Sequence, residues 1–336
     1  LELDLEAVTL KPRLVKATRS LLLRVPVSQR IYSRIKTNPK YTVKVNLLNE
    51  FGESVRTSFK NNPKVNNDLS TPLIFTLEGY ENIDLSPDSE VIADLVNERW
   101  VLSDDKTAKV DFIKADLDDI SRKVKDHYLS DYKQHWKKVY NVLDINTFKS
   151  LKDANDVLAS FTDPVYSPLI TILQVGSTNT QLSSQVFANL ADDNEKGVSG
   201  KLAGFAAAKT KWTKVDKEFR SLNVLMRDAK NKPAPINGII TKVQQLYEFV
   251  NEISVSPDPA KMSFDIAKAR YQSGAGNAIT SLHAYAKNTP QPVKRWLMTL
   301  SSETWKVVLQ SAHQHVNSEW RTQIHEPYKR GLAGRY

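Results

Sequence analysis

Leu14, Thr18, Leu21, Leu22 and Val25 recur at helical spacing; Pro26 interrupts them, and Ile31, Tyr32 and Ile35 resume the period. Two short basic helices are therefore predicted between residues 10 and 37, closed by Asn38-Pro39. The period then changes. In YTVKVNLL, Tyr41, Val43, Val45 and Leu47 alternate with Thr42, Lys44 and Asn46, the pattern of a half-buried strand, and the NEFG that follows reads as a turn. Val55 to Phe59 and PLIFTL (72–77) are predicted as further strands, with Trp100 and Val101 as an edge strand. Together they make a small β-containing module over about 41–102.

From Lys109 onward the helical period dominates. Ile113, Leu117, Ile120, Val124, Tyr128, Tyr132, Trp136, Val139 and Leu143 follow one another in steps of three or four, so one apolar stripe is sustained over about 109–143. A stripe of that length predicts the spine of a helical bundle. Further helices are predicted at Asn146–Ala159, Pro168–Thr178, Gln181–Leu190, Lys201–Asp228, Ile239–Glu252, Val293–Leu300 and Thr304–His325. Linkers fall near 191–200, 229–238 and 254–263, where ADDNEKGVSG, NKPAPING and SVSPDPAKMS break the pattern. The predicted fold is mostly α with a small β-containing insert, an elongated multi-helix array. It divides into basic N-terminal helices (1–40), the β-containing module (41–102) and a helical domain (103–336).

Composition adds constraints rather than a function. With 40% hydrophobic and 25% charged residues, the 336-residue chain is an ordinary folded protein of two or three units. Forty-seven basic residues against 38 acidic ones give a net charge of +9, which favours acidic partners or anionic surfaces without choosing between them. The charge is uneven: residues 11–40 hold nine Lys or Arg and no carboxylate, whereas 104–126 hold seven aspartates. The absence of cysteine removes disulfides, thiolate metal sites and cysteine nucleophiles, and is compatible with a periplasmic domain. No apolar run approaches the roughly 20 residues needed to cross a bilayer. Starting without methionine or a signal-peptide pattern, the chain reads as a piece of something longer, with any anchor outside it.

The densest chemistry is LSDYKQHWKKVY, residues 129–140. On a helix, Tyr128, Tyr132, Trp136 and Tyr140 share one stripe while Lys133, Lys137 and Lys138 fall elsewhere. A base-stacking platform needs rings and cations on one face, so these rings are assigned to the core. Asp131 and His135, four apart, lack the third ligand of a metal site and are expected to make structural hydrogen bonds. His313 and His315 point about 200° apart on a helix, and His325, ten residues beyond His315, adds little without a carboxylate partner at matching spacing. GAGNAI (274–279) lacks the third glycine and the preceding strand of a dinucleotide fingerprint. There is no P-loop, GxSxG, HExxH or EF-hand pattern. No catalytic, cofactor or metal residue is predicted. The electrostatic candidate is the basic segment 11–40, with Arg13, Arg19, Arg30 and Arg34. It reads either as a contact surface for an acidic partner or anionic lipid, or as a solvated helix face; one aromatic, Tyr32, is too few for nucleic acid.

Several ordered motifs resemble one family. Tyr128-x-x-Asp131-Tyr132-x-x-x-Trp136, then Ser167-Pro168-Leu169, and finally Pro292-Val293, Trp296-Leu297, Trp305, Asn317-x-x-Trp320 and Gly334-Arg335-Tyr336 are similar to the periplasmic region of IcmF/TssM proteins. RSLLLRVPVSQRIYSRI (19–35) resembles the same family, the large inner-membrane component of bacterial type VI secretion systems. The resemblance implies a structural, non-enzymatic role as a periplasmic strut of a trans-envelope complex, without cofactors. Its implied partners are further copies of itself and, mainly through regions outside this chain, an outer-membrane lipoprotein and an inner-membrane partner, with no nucleic acid.

Overall fold

The computed structural model describes residues 11–61, 69–97, 114–183, 212–228, 233–331 and 333. Chain contacts divide it into two units: one drawn from Leu1–Val45, Thr71–His135 and Thr213–Val215, the other from Asn46–Ser70, Trp136–Trp212 and Asp216–Tyr336. The elements run α1 (Pro12–Arg24), α2 (Val27–Thr37), α3 (Pro39–Thr42), β1 (Lys44–Asn46), α4 (Leu47–Ser58), β2 (Phe59–Asn61) and β3 (Ser70–Pro72). A 3-10 turn (Leu73–Phe75), α5 (Leu77–Asn82), α6 (Glu90–Asn97), α7 (Lys114–Val142), β4 (Leu143–Ile145), α8 (Leu151–Thr162) and α9 (Pro168–Thr180) follow. The last group is α10 (Lys214–Leu225), α11 (Pro235–Ser254), α12 (Pro259–Ser273), α13 (Ala278–Ala286), α14 (Val293–Trp320), a π turn (Arg321–His325) and α15 (Glu326–Gly331). The strands form two small sheets, β1 with β3 and β2 antiparallel to β4, so the fold is mostly α as expected.

The strand expectations for 41–77 need correction. Only Lys44–Asn46 of YTVKVNLL is extended; Asn46 then accepts from the Leu48 amide and caps α4. Leu47, Phe51 and Val55, four apart, are all buried, a spacing that the shorter alternation before them obscures. NEFG is not a turn but the interior of α4, bent at Gly52, whose φ of 75° suits a residue without Cβ. Val55–Ser58 is likewise helical, and only Phe59 of the second predicted strand is extended. PLIFTL gives one strand residue and then the 3-10 turn. The predicted edge strand at Trp100 and Val101 lies outside the described residues.

The two N-terminal helices are as predicted, and the spine helix is α7, 29 residues long. Its predicted last position, Leu143, is buried in β4, which pairs Asn61 with Leu143 and Phe59 with Ile145. Later boundaries shift because caps override periodicity. Ser150 accepts from the Asp153 amide, starting α8 at Leu151 rather than 146. Pro235 and Pro259 occupy the first turns of α11 and α12, where their missing amide hydrogens are not needed. The linker expected at 254–263 thus shrinks to 255–258, and α12 and α13 are helices the periodicity missed. α14 runs unbroken where two helices were expected; the Ser301 hydroxyl between them bonds to the Leu297 carbonyl inside the helix and does not end it. The predicted helix at Gln181–Leu190 and most of the start of Lys201–Asp228 fall outside the described residues. No described helix is long and apolar enough to cross a membrane.

Candidate functional site

In the first unit the aromatic end of α7 is a buried cluster. Tyr128 and Tyr132 are fully buried, edge to face at 5.9 Å. Phe75 packs on Tyr132 at 5.9 Å and on His135 at 5.0 Å, and Tyr80 stacks on Tyr128 at 6.3 Å. The Tyr128 hydroxyl donates to the Ile74 carbonyl at 2.7 Å, which gives a buried polar tip its partner. Close approach here needs glycine: a Cβ on Gly79 would lie 1.9 Å from the Leu73 carbonyl oxygen.

Asp131 and His135 make the structural hydrogen bonds expected of them, each with a different partner. Asp131 accepts from the Tyr32 hydroxyl at 2.9 Å and from Lys36 at 2.8 Å, while His135 Nε2 meets the Thr71 hydroxyl at 3.0 Å. Burial pushes the Asp131 carboxyl up, but hydrogen bonds from Lys36 and Tyr32, with the charges of Lys36 and His127, outweigh it and hold the group below the usual carboxylate range. Burial, then the Asp131 charge, pushes the Tyr32 phenol well above its ordinary value. A carboxyl whose folded-state pKa is depressed stabilises the fold above its unfolded value, about 3.9, and that contribution disappears as pH falls through the lower folded value. Because both partners of the ion pair are partly exposed, Asp131→Asn should cost no more than about 1 kcal/mol at pH 7. The difference from wild type should be smaller at pH 2 than at pH 7. Denaturant unfolding at the two pH values checks this, and an equal cost at both would refute it.

In the second unit the same helix ends against α9, α10 and α14. Trp136 is fully buried, 6.2 Å from the Tyr140 ring, which in turn contacts Phe219 at 5.8 Å and Trp296 at 6.5 Å. Trp296, fully buried, meets Phe59 edge-on at 5.2 Å and donates its indole N–H to the Leu143 carbonyl at 2.9 Å. Arg295 donates to the Tyr140 and Leu143 carbonyls at 3.0 and 2.8 Å. Two consecutive residues of α14 thereby satisfy carbonyls left open where α7 stops. Ser167 is buried with its hydroxyl on the Phe161 carbonyl at 2.9 Å, and Pro168 opens α9. Lys137 pairs with Glu218, and Lys138 is exposed.

The other singled-out residues do not join these clusters. Asn317 and Trp320 sit at the exposed end of α14, with Trp320 53% exposed and stacked on His325 at 5.1 Å. Gly334, Arg335 and Tyr336 lie outside the described residues. Arg13 is exposed on α1, Arg30 is half-buried and Arg34 exposed on α2; the Arg19 side chain is not among those described. Gly274, in the left-handed region at φ 65°, ends α12, and Asn277 caps α13, so GAGNAI is a junction between helices. Among the described residues, no group of three or more His, Asp or Glu is placed to hold a metal ion.

Residues 2–181, more than half of the chain, match the IcmF-related family, described as "Intracellular multiplication and human macrophage-killing". The chain belongs to this family. It is 26% identical over 345 residues to "Type VI secretion system component TssM1" of Pseudomonas aeruginosa, an alignment covering 96% of this chain and 30% of TssM1. The chain thus spans under a third of that relative. Among solved structures, its fold is similar to a "Type VI secretion system membrane core complex" chain, with a TM-score of 0.59, 16% identity, and 92% of this chain and 54% of that one covered. A "Type VI membrane complex" chain is similar at a TM-score of 0.52 and 13% identity, covering 96% of this chain and 53% of that one. The resemblance to the IcmF/TssM family is borne out.

Sequence reasoning missed two groups of residues. Arg295 and Gly176, which serve the end of α7, carry no motif. Arg270 lies on α12, whose signal was legible as Asp258-Pro259 at its start and Gly274 at its end.

Proposed function

We propose that this chain is the periplasmic, strut-forming part of an inner-membrane-anchored component of a type VI secretion trans-envelope complex, acting structurally and not by catalysis. The observation that carries the reading is the alignment to TssM1 along 96% of the chain. Its physical support is a fold spent on mechanics. A 29-residue and a 28-residue helix give stiff elements, and Tyr128, Tyr132, Trp136 and Tyr140 of the first and Trp296 of the second are locked in buried clusters. In this reading the chain associates with further copies of itself, and the outer-membrane lipoprotein and inner-membrane partner are engaged mainly through regions beyond it.

The test is removal of residues 114–331 in frame from the full-length protein. Secretion should be lost and co-purification of the other membrane-complex components reduced; normal secretion would sink the proposal. A second reading, a binding module for an acidic ligand, rests on the run of basic residues in α1 and α2. Replacing Arg13, Arg19, Arg30 and Arg34 with glutamate should leave secretion intact if the strut reading holds, and abolish it if the basic face is the working surface.

A further inference from the structure

We propose that the trough between α12, α13 and α14 docks an acidic, aromatic- or aliphatic-bearing peptide segment of a partner protein. At its centre the Arg270 guanidinium lies over the Trp305 ring, 4.1 Å from its centroid. One terminal nitrogen, Nη1, is buried without a hydrogen-bond partner among the described residues. A guanidinium stays charged and offers five donors in a fixed fork, so its donors other than the enclosed Nη1 are held ready for an incoming carboxylate. Stacking on the indole holds the fork in place and reduces the freedom it would lose on binding.

Two cavities flank this pair and share it as a wall. The larger, about 790 Å³, adds Phe264, Ala267, Tyr271 and Leu309 to Lys268 and Gln272. The smaller, about 380 Å³, adds Ile279, Thr280, His283 and Lys287, with Ser301 and Ser302 at its side. Among the described residues no aspartate or glutamate lines either one, so the fixed charges they bring to the trough are positive. Its apolar wall is uncovered: Tyr271 is 94% exposed and Leu309 44% exposed.

These observations select the occupant. A free small anion would use the Arg270 corner and leave Phe264, Tyr271 and Leu309 in water. A neutral apolar peptide would leave the positive charges of Arg270, Lys268 and Lys287 without a counter-charge. A peptide that places a carboxylate on Arg270 and Lys287 and an apolar side chain against Tyr271 and Leu309 satisfies both halves.

The experiment is selection of a displayed random twelve-residue peptide library on the 336-residue chain, followed by calorimetric titration of the synthesised consensus peptide. Enriched sequences should combine Asp or Glu with aromatic or aliphatic residues. Their affinity should fall at least tenfold in Arg270→Gln and in Lys287→Glu, and weaken as salt rises. Lys287 is exposed, so the second variant tests the trough even where the first perturbs packing on Trp305. The proposal is overturned if no peptide is enriched, if enrichment ignores charge, or if both variants bind as the parent does. It is equally overturned if inorganic phosphate binds in an Arg270-dependent way while acidic peptides do not, which would make this a small-anion pocket.

Discussion

Trp136→Ala should lower the unfolding free energy by about 3–5 kcal/mol, the range for deleting a fully buried large aromatic side chain. The indole is completely enclosed and is, with that of Trp296, one of the two largest fully buried side chains among the described residues. Its neighbour in the cluster, Tyr140, is tied by ring contacts to α10 and α14, so the site has little freedom to collapse around the cavity. Urea unfolding should show the midpoint falling with an unchanged slope. A Trp136→Ala protein with parental stability that had lost one specific ligand would return this stretch to the status of a binding site.

Gly176→Ala should destabilise by at least about 2–3 kcal/mol, the upper part of the range for overpacking a core. A Cβ at this position of α9 would stand 1.8 Å from the Tyr140 hydroxyl oxygen and 2.7 Å from ring carbon Cζ. Tyr140 is buried and held by three ring contacts, so it cannot swing aside. Its hydroxyl has no hydrogen-bond partner among the described residues, and burial pushes its pKa well above the ordinary tyrosine value. Tyr140→Phe alone should therefore be neutral or stabilising by up to about 1 kcal/mol, since it removes an unmet buried polar group. Combined with Gly176→Ala it should recover only part of the loss, because the ring carbon is still too close. Thermal melts of the two single variants and the double variant decide the matter; full additivity would show that the two positions do not meet.

What the sequence made legible was the periodic part of the fold. The stripe from Leu117 to Val139 was long enough for its 3.6-residue period to admit no other reading, and it assigned Tyr128, Tyr132 and Trp136 to the core. Short elements were not legible. Tyr41 to Leu47 alternates for seven residues, and that local pattern concealed the four-residue spacing of Leu47, Phe51 and Val55 that governs α4. Caps moved boundaries that hydrophobicity alone could not place, as at Ser150 and Pro259. The candidate sites were least legible of all, because Arg270 and Trp305 are 35 positions apart and only the packing of α12 on α14 brings them face to face.

The contacts of Arg295 and Trp296 with the end of α7 bear on the order in which the protein can be made. The Trp296 indole and the Leu143 carbonyl are separated by 153 residues. A chain emerging from its N-terminus completes the spine helix long before the groups that close its last turn exist. Until they are synthesised, the Tyr140 ring lacks one wall of its pocket and those carbonyls must be served by water. The entropic cost of closure grows only slowly with the length of the segment, but contacts so far apart in sequence are slow to form. The packing around Tyr140 can therefore be completed only after Trp296 has been made, and until then an aromatic face that the folded protein buries stands open to other chains.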